Sequence, residues 1–381
     1  MKLTQKMEKK LEGRKELDAL RQLMPPPVLI DFFSNDYLGL AKCKKIYDHS
    51  LEIMKENSCF LNGSTGSRLL SGNHFLFAMA EALIARFHNA EAALLFNSGY
   101  DANLGLLSSI AQRGDIILYD ESSHASIRDG ISMGVAKAFK FRHNDVNHLL
   151  QLIEKYQAGS YEGEIFVVTE SVFSMDGDKP DLIKIADLTN KLHCRLIVDE
   201  AHATGVLGKN GEGLVHQLGL QEKVFARIVT FGKALGAHGA AILGSKELQD
   251  YLVNFSRSFI YTTGLPPHSV ATIIAAYSML PGNDNYRLLH DNIKYFRQEV
   301  KKNDLEIDFI NSKTAIQCCI IPGNARVKSV AANLEAEGFA VKAILSPTVP
   351  AGKERLRFCL HSYNSQAEIN KVLKLLATFI K

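Results

Sequence analysis

The stretch Ile228–Gly244, IVTFGKALGAHGAAILG, sets two apolar runs on either side of a glycine-rich turn and places one lysine, Lys233, between them. Val229, Thr230, Phe231 and Gly232 precede it and Ala234 and Leu235 follow, so it lacks the polar company that a solvated lysine usually keeps. Two readings suit such a residue. One is a surface lysine on a loop between two strands. The other is a lysine whose partial desolvation favours the neutral amine and makes it usable as a Schiff-base nucleophile.

Working outward, the region from about residue 90 to 245 repeats one grammar. A short apolar run comes first, then a polar or glycine-marked turn, then a helical pattern. The runs are AALLF, DIILY, EIFVVTE, CRLIVDE, RIVTF and AAILG. Near-continuous apolar strands alternating with helices indicate an α/β domain whose mostly parallel sheet is covered on both faces. After Pro281 the texture changes to a long helical pattern, NYRLLHDNIKYFRQEVKKN, followed by strands at AIQCCIIPG, AVKAIL and RLRFCLHS and a final helix from about Gln366 to Ile380. The expected organisation is an N-terminal helix and extended segment over 1–45, a large domain over 46–280 and a small C-terminal domain over 281–381. The first helix is expected to stop at the prolines 25, 26 and 27.

The bulk numbers agree. A chain of 381 residues exceeds the roughly 250 to 300 at which single cores stop growing. A hydrophobic fraction of 46% and a charged fraction of 22% are those of a globular protein, and no apolar run approaches the ~20 residues of a membrane span. The net charge of +3 leaves no basic footprint for nucleic acid. The six cysteines show no CxxC spacing, which suits a reducing, cytoplasmic setting.

Ligands of a parallel α/β sheet bind beyond the carboxyl ends of the strands. After AALLF come Asn97, Ser98, Gly99 and Tyr100, a glycine turn into a helix whose backbone N–H groups suit a phosphate. After DIILYDE comes His124, and after IFVVTE a turn carries Glu170, Ser174 and Asp176. After CRLIV come Asp199, Glu200 and His202, and after RIVTF comes Lys233. An aspartate at the end of a buried strand needs donors or a cation, and a protonated pyridine nitrogen is such a cation. A lysine, an aspartate, two histidines and a phosphate turn on one sheet edge are together the parts that hold pyridoxal 5′-phosphate.

The chain resembles the fold-type I pyridoxal-phosphate enzymes and, within them, the α-oxoamine synthases. The motifs that carry the resemblance run from FFSNDYLGLA through GSTGSRLLSGNH, FNSGYDANLG, SSHASIRDG, VTESVFSMDGD, VDEAHATGVLGKNGEG, TFGKALGAHG and FIYTTGLPP to SPTVPAGKERLRF, nearly the whole chain. The resemblance implies a large domain with a mostly parallel seven-stranded sheet between helices, a smaller C-terminal α/β domain, and a homodimer with active sites at the subunit interface. It implies that Lys233 holds the cofactor covalently and then acts as a base, that Asp199 pairs with the pyridine nitrogen, and that His124 stacks on the ring. It places His202 and Ser174 at the phenolic oxygen, Ser98, Gly99, Tyr100 and Thr230 at the phosphate, and Thr262 and Thr263 at the neighbouring subunit's phosphate. Arg357 and Asn35 match the contacts to the amino-acid carboxylate, and Arg21 and Thr348 match further substrate positions.

The implied reaction is the decarboxylative condensation of L-alanine with a pimeloyl thioester, on CoA or a carrier protein, in biotin biosynthesis. Sister reactions of the glycine C-acetyltransferase, 5-aminolevulinate synthase and serine palmitoyltransferase types share the cofactor and differ in amino acid and acyl group. Leu345, Ser346 and Gly264 depart from the pattern and bear on acyl choice. A nicotinamide-dependent dehydrogenase would need GxGxxG after a first strand, and GKALGAHG and GSTGSRLLSG both have the wrong spacing. A metal hydrolase built on His124, Asp199, Glu200 and His202 would lack HExxH or comparable ligand spacing.

Overall fold

The computed structural model describes residues 3–17, 19–21, 23, 29–158 and 162–380. The first helix, Gln5–Glu16, ends well before the expected proline stop, which lies outside the described residues. The chain divides into two compact units. The larger comprises Leu38–Ser174 and Lys179–Tyr286, the smaller Met1–Tyr37, Met175–Asp178 and Arg287–Lys381.

The larger unit is built on seven strands: β1 Ala92–Phe96, β2 Ile116–Asp120, β3 Lys137–Phe141, β4 Ile165–Glu170, β5 Arg195–Asp199, β6 Ala226–Thr230 and β7 Ala240–Gly244. Their order across the sheet is β1-β7-β6-β5-β4-β2-β3. Only β7 runs antiparallel, pairing with β1 on one side and β6 on the other, so the other six strands end on the same edge. The mostly parallel sheet expected from the apolar runs is borne out. β1, β4, β6 and nearly all of β5 are buried throughout, as strands covered on both faces must be. The strand KAFKF at 137–141 is the one the apolar pattern does not announce. It sits at the sheet edge, where its two lysines, Lys137 and Lys140, are both exposed to water.

Alternation along the strands sends Phe166 and Val168, Ile197, and Ala226 and Ile228 into one core, together with Leu106 and Leu107 of the helix Gly99–Ser109 and Ile127 and Ile131 of the helix Ala125–Met133. The same period of two carries Glu170, Asp199 and Thr230, the last residues of β4, β5 and β6, onto that face. Polar strand ends thus meet the two helices that follow β1 and β2.

In the smaller unit an antiparallel sheet sets Arg355–Cys359 between Lys342–Ile344 and Ile316–Ile320. The helices Asn324–Ala336 and Gln366–Ile380 belong to this unit, as does most of Asp284–Lys302. Ile30–Asp31 pairs in parallel with Phe339–Ala340.

Candidate active site

The carboxyl edge of the large sheet collects most of the residues singled out in the sequence. Ser98 caps the helix Gly99–Ser109. Its hydroxyl accepts from Asp101 N at 3.1 Å and donates to Asp101 Oδ2 at 2.7 Å, so the side chain is occupied in starting the helix. Gly99 is required here, because a Cβ would lie 2.6 Å from Thr230 Cγ2. The helix start is thereby drawn against the end of β6, with the first-turn N–H groups that a helix cannot satisfy internally. Tyr100 is largely exposed, and its hydroxyl donates to Asp129 Oδ2 at 2.5 Å. Asn97, one residue before the cap, donates through Nδ2 to Thr262 Oγ1 at 3.1 Å and to the Thr263 carbonyl at 2.8 Å, which ties both threonines to this turn of their own chain.

Asp199 is buried. Oδ1 accepts from Ala201 N at 2.9 Å and Oδ2 from Asn103 Nδ2 at 2.8 Å, so both hydrogen bonds come from neutral donors. Its neighbour in register is Glu170, also buried, whose Oε1 accepts the backbone N–H of His124 at 2.6 Å. Burial first, and then repulsion from Asp199, push the Glu170 carboxyl well above the usual carboxylate range. His124 caps the second helix, and its Nδ1 accepts from Ser126 N at 3.2 Å. Burial lowers the affinity of this imidazole for a proton. Asp199 opposes that effect, while Lys233 and Arg128 add to it. Lys233 itself is half-buried in the turn after β6, where Gly236 N donates to its carbonyl at 2.9 Å. His124 and Glu170 therefore both lie in the combined field of Asp199 and Lys233. His202 is buried in the turn after Asp199, and Ser174 is half-buried after β4.

In the smaller unit Arg357 is buried on the central strand. Nη2 donates to Asn35 Oδ1 at 2.6 Å and lies 3.2 Å from Cys359 Sγ, and Nε has no partner. Tyr37 donates its hydroxyl to the same Asn35 oxygen at 3.2 Å. The two residues expected at the amino-acid carboxylate are therefore in direct contact. Arg21 and Thr348 are exposed and are not drawn into this cluster. Asp176, noted in the sequence beside Glu170, pairs with Arg355.

The parts fit pyridoxal phosphate. A buried carboxylate served only by neutral donors can take a cationic ring nitrogen, the Gly99–Thr230 approach leaves a helix start open to a phosphate, and a half-buried lysine lies in the same field. Two features of the site escaped the sequence. Glu170 reads there as a turn residue, yet it holds the His124 backbone. Asn103 reads as one polar residue in DANLGLLSS, yet it is buried; its signal was a polar side chain in a helix otherwise lined by buried Ala102, Leu106 and Leu107.

A sheet of this order with a lysine, an aspartate and two histidines at its carboxyl edge defines a class. The profile of the aminotransferase class I and II family matches residues 27–376, and the chain belongs to that family. Among its relatives is the 8-amino-7-oxononanoate synthase of Emericella nidulans, 38% identical over 379 residues, spanning 93% of this chain and 90% of the relative. The crystal structure of 8-amino-7-oxononanoate synthase from Francisella tularensis superposes with a TM-score of 0.77 at 30% identity, covering 92% of this chain and 97% of that one. Serine palmitoyltransferase from S. paucimobilis, solved with bound PLP-myriocin, superposes with a TM-score of 0.89 at 25% identity, covering 100% of this chain and 98% of that one. The resemblance to the α-oxoamine synthases and the fold-type I architecture are both borne out.

Proposed function

We propose that this protein is a pyridoxal-phosphate-dependent acyltransferase that condenses L-alanine with a pimeloyl thioester, CoA or carrier-bound, to give 8-amino-7-oxononanoate, carbon dioxide and the free thiol. The observation that carries the reading is the 38% identity to the Emericella nidulans enzyme over 93% of the chain, joined to the Lys233, Asp199 and His124 arrangement on one sheet edge. When bound, pyridoxal phosphate supplies the electron sink for carbon–carbon bond chemistry. Lys233 would be its covalent anchor and would then serve as the base for the α-proton of alanine. The α-carbon then forms a bond to the thioester carbonyl, the thiol leaves, the carboxylate departs as carbon dioxide, and a proton returns to the same carbon. Asp199 would hold the positive ring nitrogen, His124 would cover the ring face, and His202 and Ser174 would contact the phenolic oxygen. The turn at Ser98, Gly99 and Tyr100, with Thr230, receives the phosphate. Arg357 and Asn35 hold the substrate carboxylate, the guanidinium fork offering two parallel donors. Arg21 and Thr348 are the further substrate-binding positions.

The same reading includes a cytoplasmic homodimer, with Thr262 and Thr263 serving the second subunit's phosphate. In support, Phe60, Leu61, Leu69, Leu70, Phe75 and Met79 leave apolar surface exposed, all six cysteines are free, and no described helix is long and apolar enough to cross a membrane.

A second reading, serine with a longer acyl chain, is favoured by backbone likeness, since the serine palmitoyltransferase structure superposes at 0.89 against 0.77. The test is an absorbance titration of the cofactor-loaded protein with L-alanine, glycine and L-serine, followed by thiol release on adding pimeloyl-CoA. The largest response to alanine, with thiol release, supports the proposal. A larger response to serine or glycine moves the substrate within the family.

A further inference from the structure

In the larger unit one line of hydrogen bonds joins two residues assigned to the cofactor through two that the reaction above does not use. Asn103 Nδ2 donates to Asp199 Oδ2 at 2.8 Å and to Ser126 Oγ at 3.0 Å. Ser126 Oγ lies 2.8 Å from His124 Nδ1, which also accepts the Ser126 backbone N–H at 3.2 Å. Asn103 and Ser126 are both almost wholly buried, so water does not offer them alternative partners.

The chemistry of each group fixes which way the hydrogens point. A carboxylate only accepts, so Asn103 must turn its NH2 and not its carbonyl toward Asp199. One hydrogen of that NH2 serves Asp199 and the other serves Ser126 Oγ. The serine hydroxyl therefore accepts from Asn103, and its single hydrogen is left for His124 Nδ1. A backbone N–H points at the same nitrogen. Two donors converge on Nδ1, which must present a lone pair, and the ring proton is left on Nε2. Protonating Nδ1 would set its N–H against both donors and force the hydroxyl to turn.

We propose that Asn103 is a positioning residue that acts through Ser126 to hold His124 as the neutral Nε2–H tautomer and to tie that state to the Asp199 carboxylate. The proposal rests on the reading of Asp199 and His124 as cofactor-facing groups, but the relay is a property of the chain itself. A neutral ring keeps a second positive charge away from the nitrogen that Asp199 is assigned to hold, and it leaves Nε2–H as a donor. The other charged groups facing His124 do not set the tautomer. Asp199 and Asp129 favour the imidazolium, Lys233 and Arg128 oppose it, and Glu170 accepts the backbone N–H and not the ring. Burial of the ring acts in the same direction as the relay.

The test is carbon-13 NMR of the full-length chain labelled at histidine, titrated with and without pyridoxal phosphate, with His124→Gln identifying the resonance. The expected result is a neutral Nε2–H ring near neutral pH. Asn103→Leu and Ser126→Ala should each raise the His124 midpoint by about one pH unit, a tenfold change in proton affinity, and admit the Nδ1–H tautomer. Ser126→Thr, which keeps the hydroxyl, should keep the parent midpoint. An unchanged midpoint in Ser126→Ala, or an Nδ1–H ring in the parent chain, overturns the relay. The serine pair decides the matter even if Asn103→Leu does not fold. Failure of the chain to bind pyridoxal phosphate would count against the proposed function and leave the cofactor-free titration to judge the relay.

Discussion

The large-sheet edge and the Arg357 cluster handle buried charge in opposite ways. At the sheet edge each oxygen of Asp199 has a protein donor, and the neighbouring carboxyl Glu170 accepts a backbone N–H. In the smaller unit a buried guanidinium is held by an amide oxygen and a thiol, one of its nitrogens has no partner, and no carboxylate is paired with it among the described residues. An anion in the first region is organised before any ligand arrives. The cation in the second has only neutral company, so a ligand carboxylate would complete it. Both charges take their opposite from a ligand, and the difference is that the chain already completes the hydrogen bonds of Asp199 while Arg357 keeps a donor for the substrate.

The largest effect expected is that of Lys233→Ala, which should abolish thioester condensation while leaving the thermal unfolding of the cofactor-free protein near that of the parent, because the lysine is half-buried in a turn and not in the core. Arg357→Lys should come next. A point charge replaces a planar fork, and kcat/KM for the amino acid should fall roughly 100-fold, mostly through KM, with the cofactor spectrum unaltered. A cofactor spectrum that changes as much as KM would break the proposed division of labour between the two regions.

A third prediction concerns stability. Burial pushes the Glu200 carboxyl up to about 7, against an ordinary value of 4.5, with the Arg227 guanidinium opposing the shift. A raised value means that the folded state holds the proton more tightly. This contribution is therefore fully present below pH 4.5 and is lost as pH rises to about 7. His88, also buried and beside Arg227, is lowered to about 3 from 6.5, so its contribution is present above 6.5 and is lost as pH falls toward 3. The two slopes oppose each other between 4.5 and 6.5. Glu200→Gln removes one of them, and its unfolding free energy should gain on the parent by roughly 3 kcal/mol as pH is raised through that window and on to about 7, measured by urea denaturation. The smallest effect is that of Gly99→Ala, expected to weaken pyridoxal phosphate binding about tenfold through the Thr230 methyl. Thr230→Ser, which removes that methyl, should restore most of the affinity in the double variant.

How far the sequence could be read follows the same contrast. Strands buried on both faces leave uninterrupted apolar runs, and the reactive residues stand immediately after them, so Lys233, Asp199 and His124 were legible as a set. Arg357 and Asn35 lie 322 positions apart and meet only through tertiary structure, so the family pattern and not the local sequence pointed to them. The strand Lys137–Phe141 was hidden because an edge strand need not be apolar. Arg227 shows a different failure. It interrupts the run ARIVT, and that interruption was the only sign of a buried cluster in which Arg227 donates to the His88 carbonyl and His88 bonds the Tyr277 hydroxyl. Side-chain partners such as Asn103 and Ser126 leave still less trace, because one buried polar residue in a helix does not say what it bonds.

The most direct test of the central claim is to incubate the purified protein with pyridoxal phosphate, reduce with sodium borohydride, digest, and locate the modified peptide by mass spectrometry. The account predicts one pyridoxyl group per chain on Lys233, absent from Lys233→Ala. Stable incorporation at another lysine, or none at all, would contradict it.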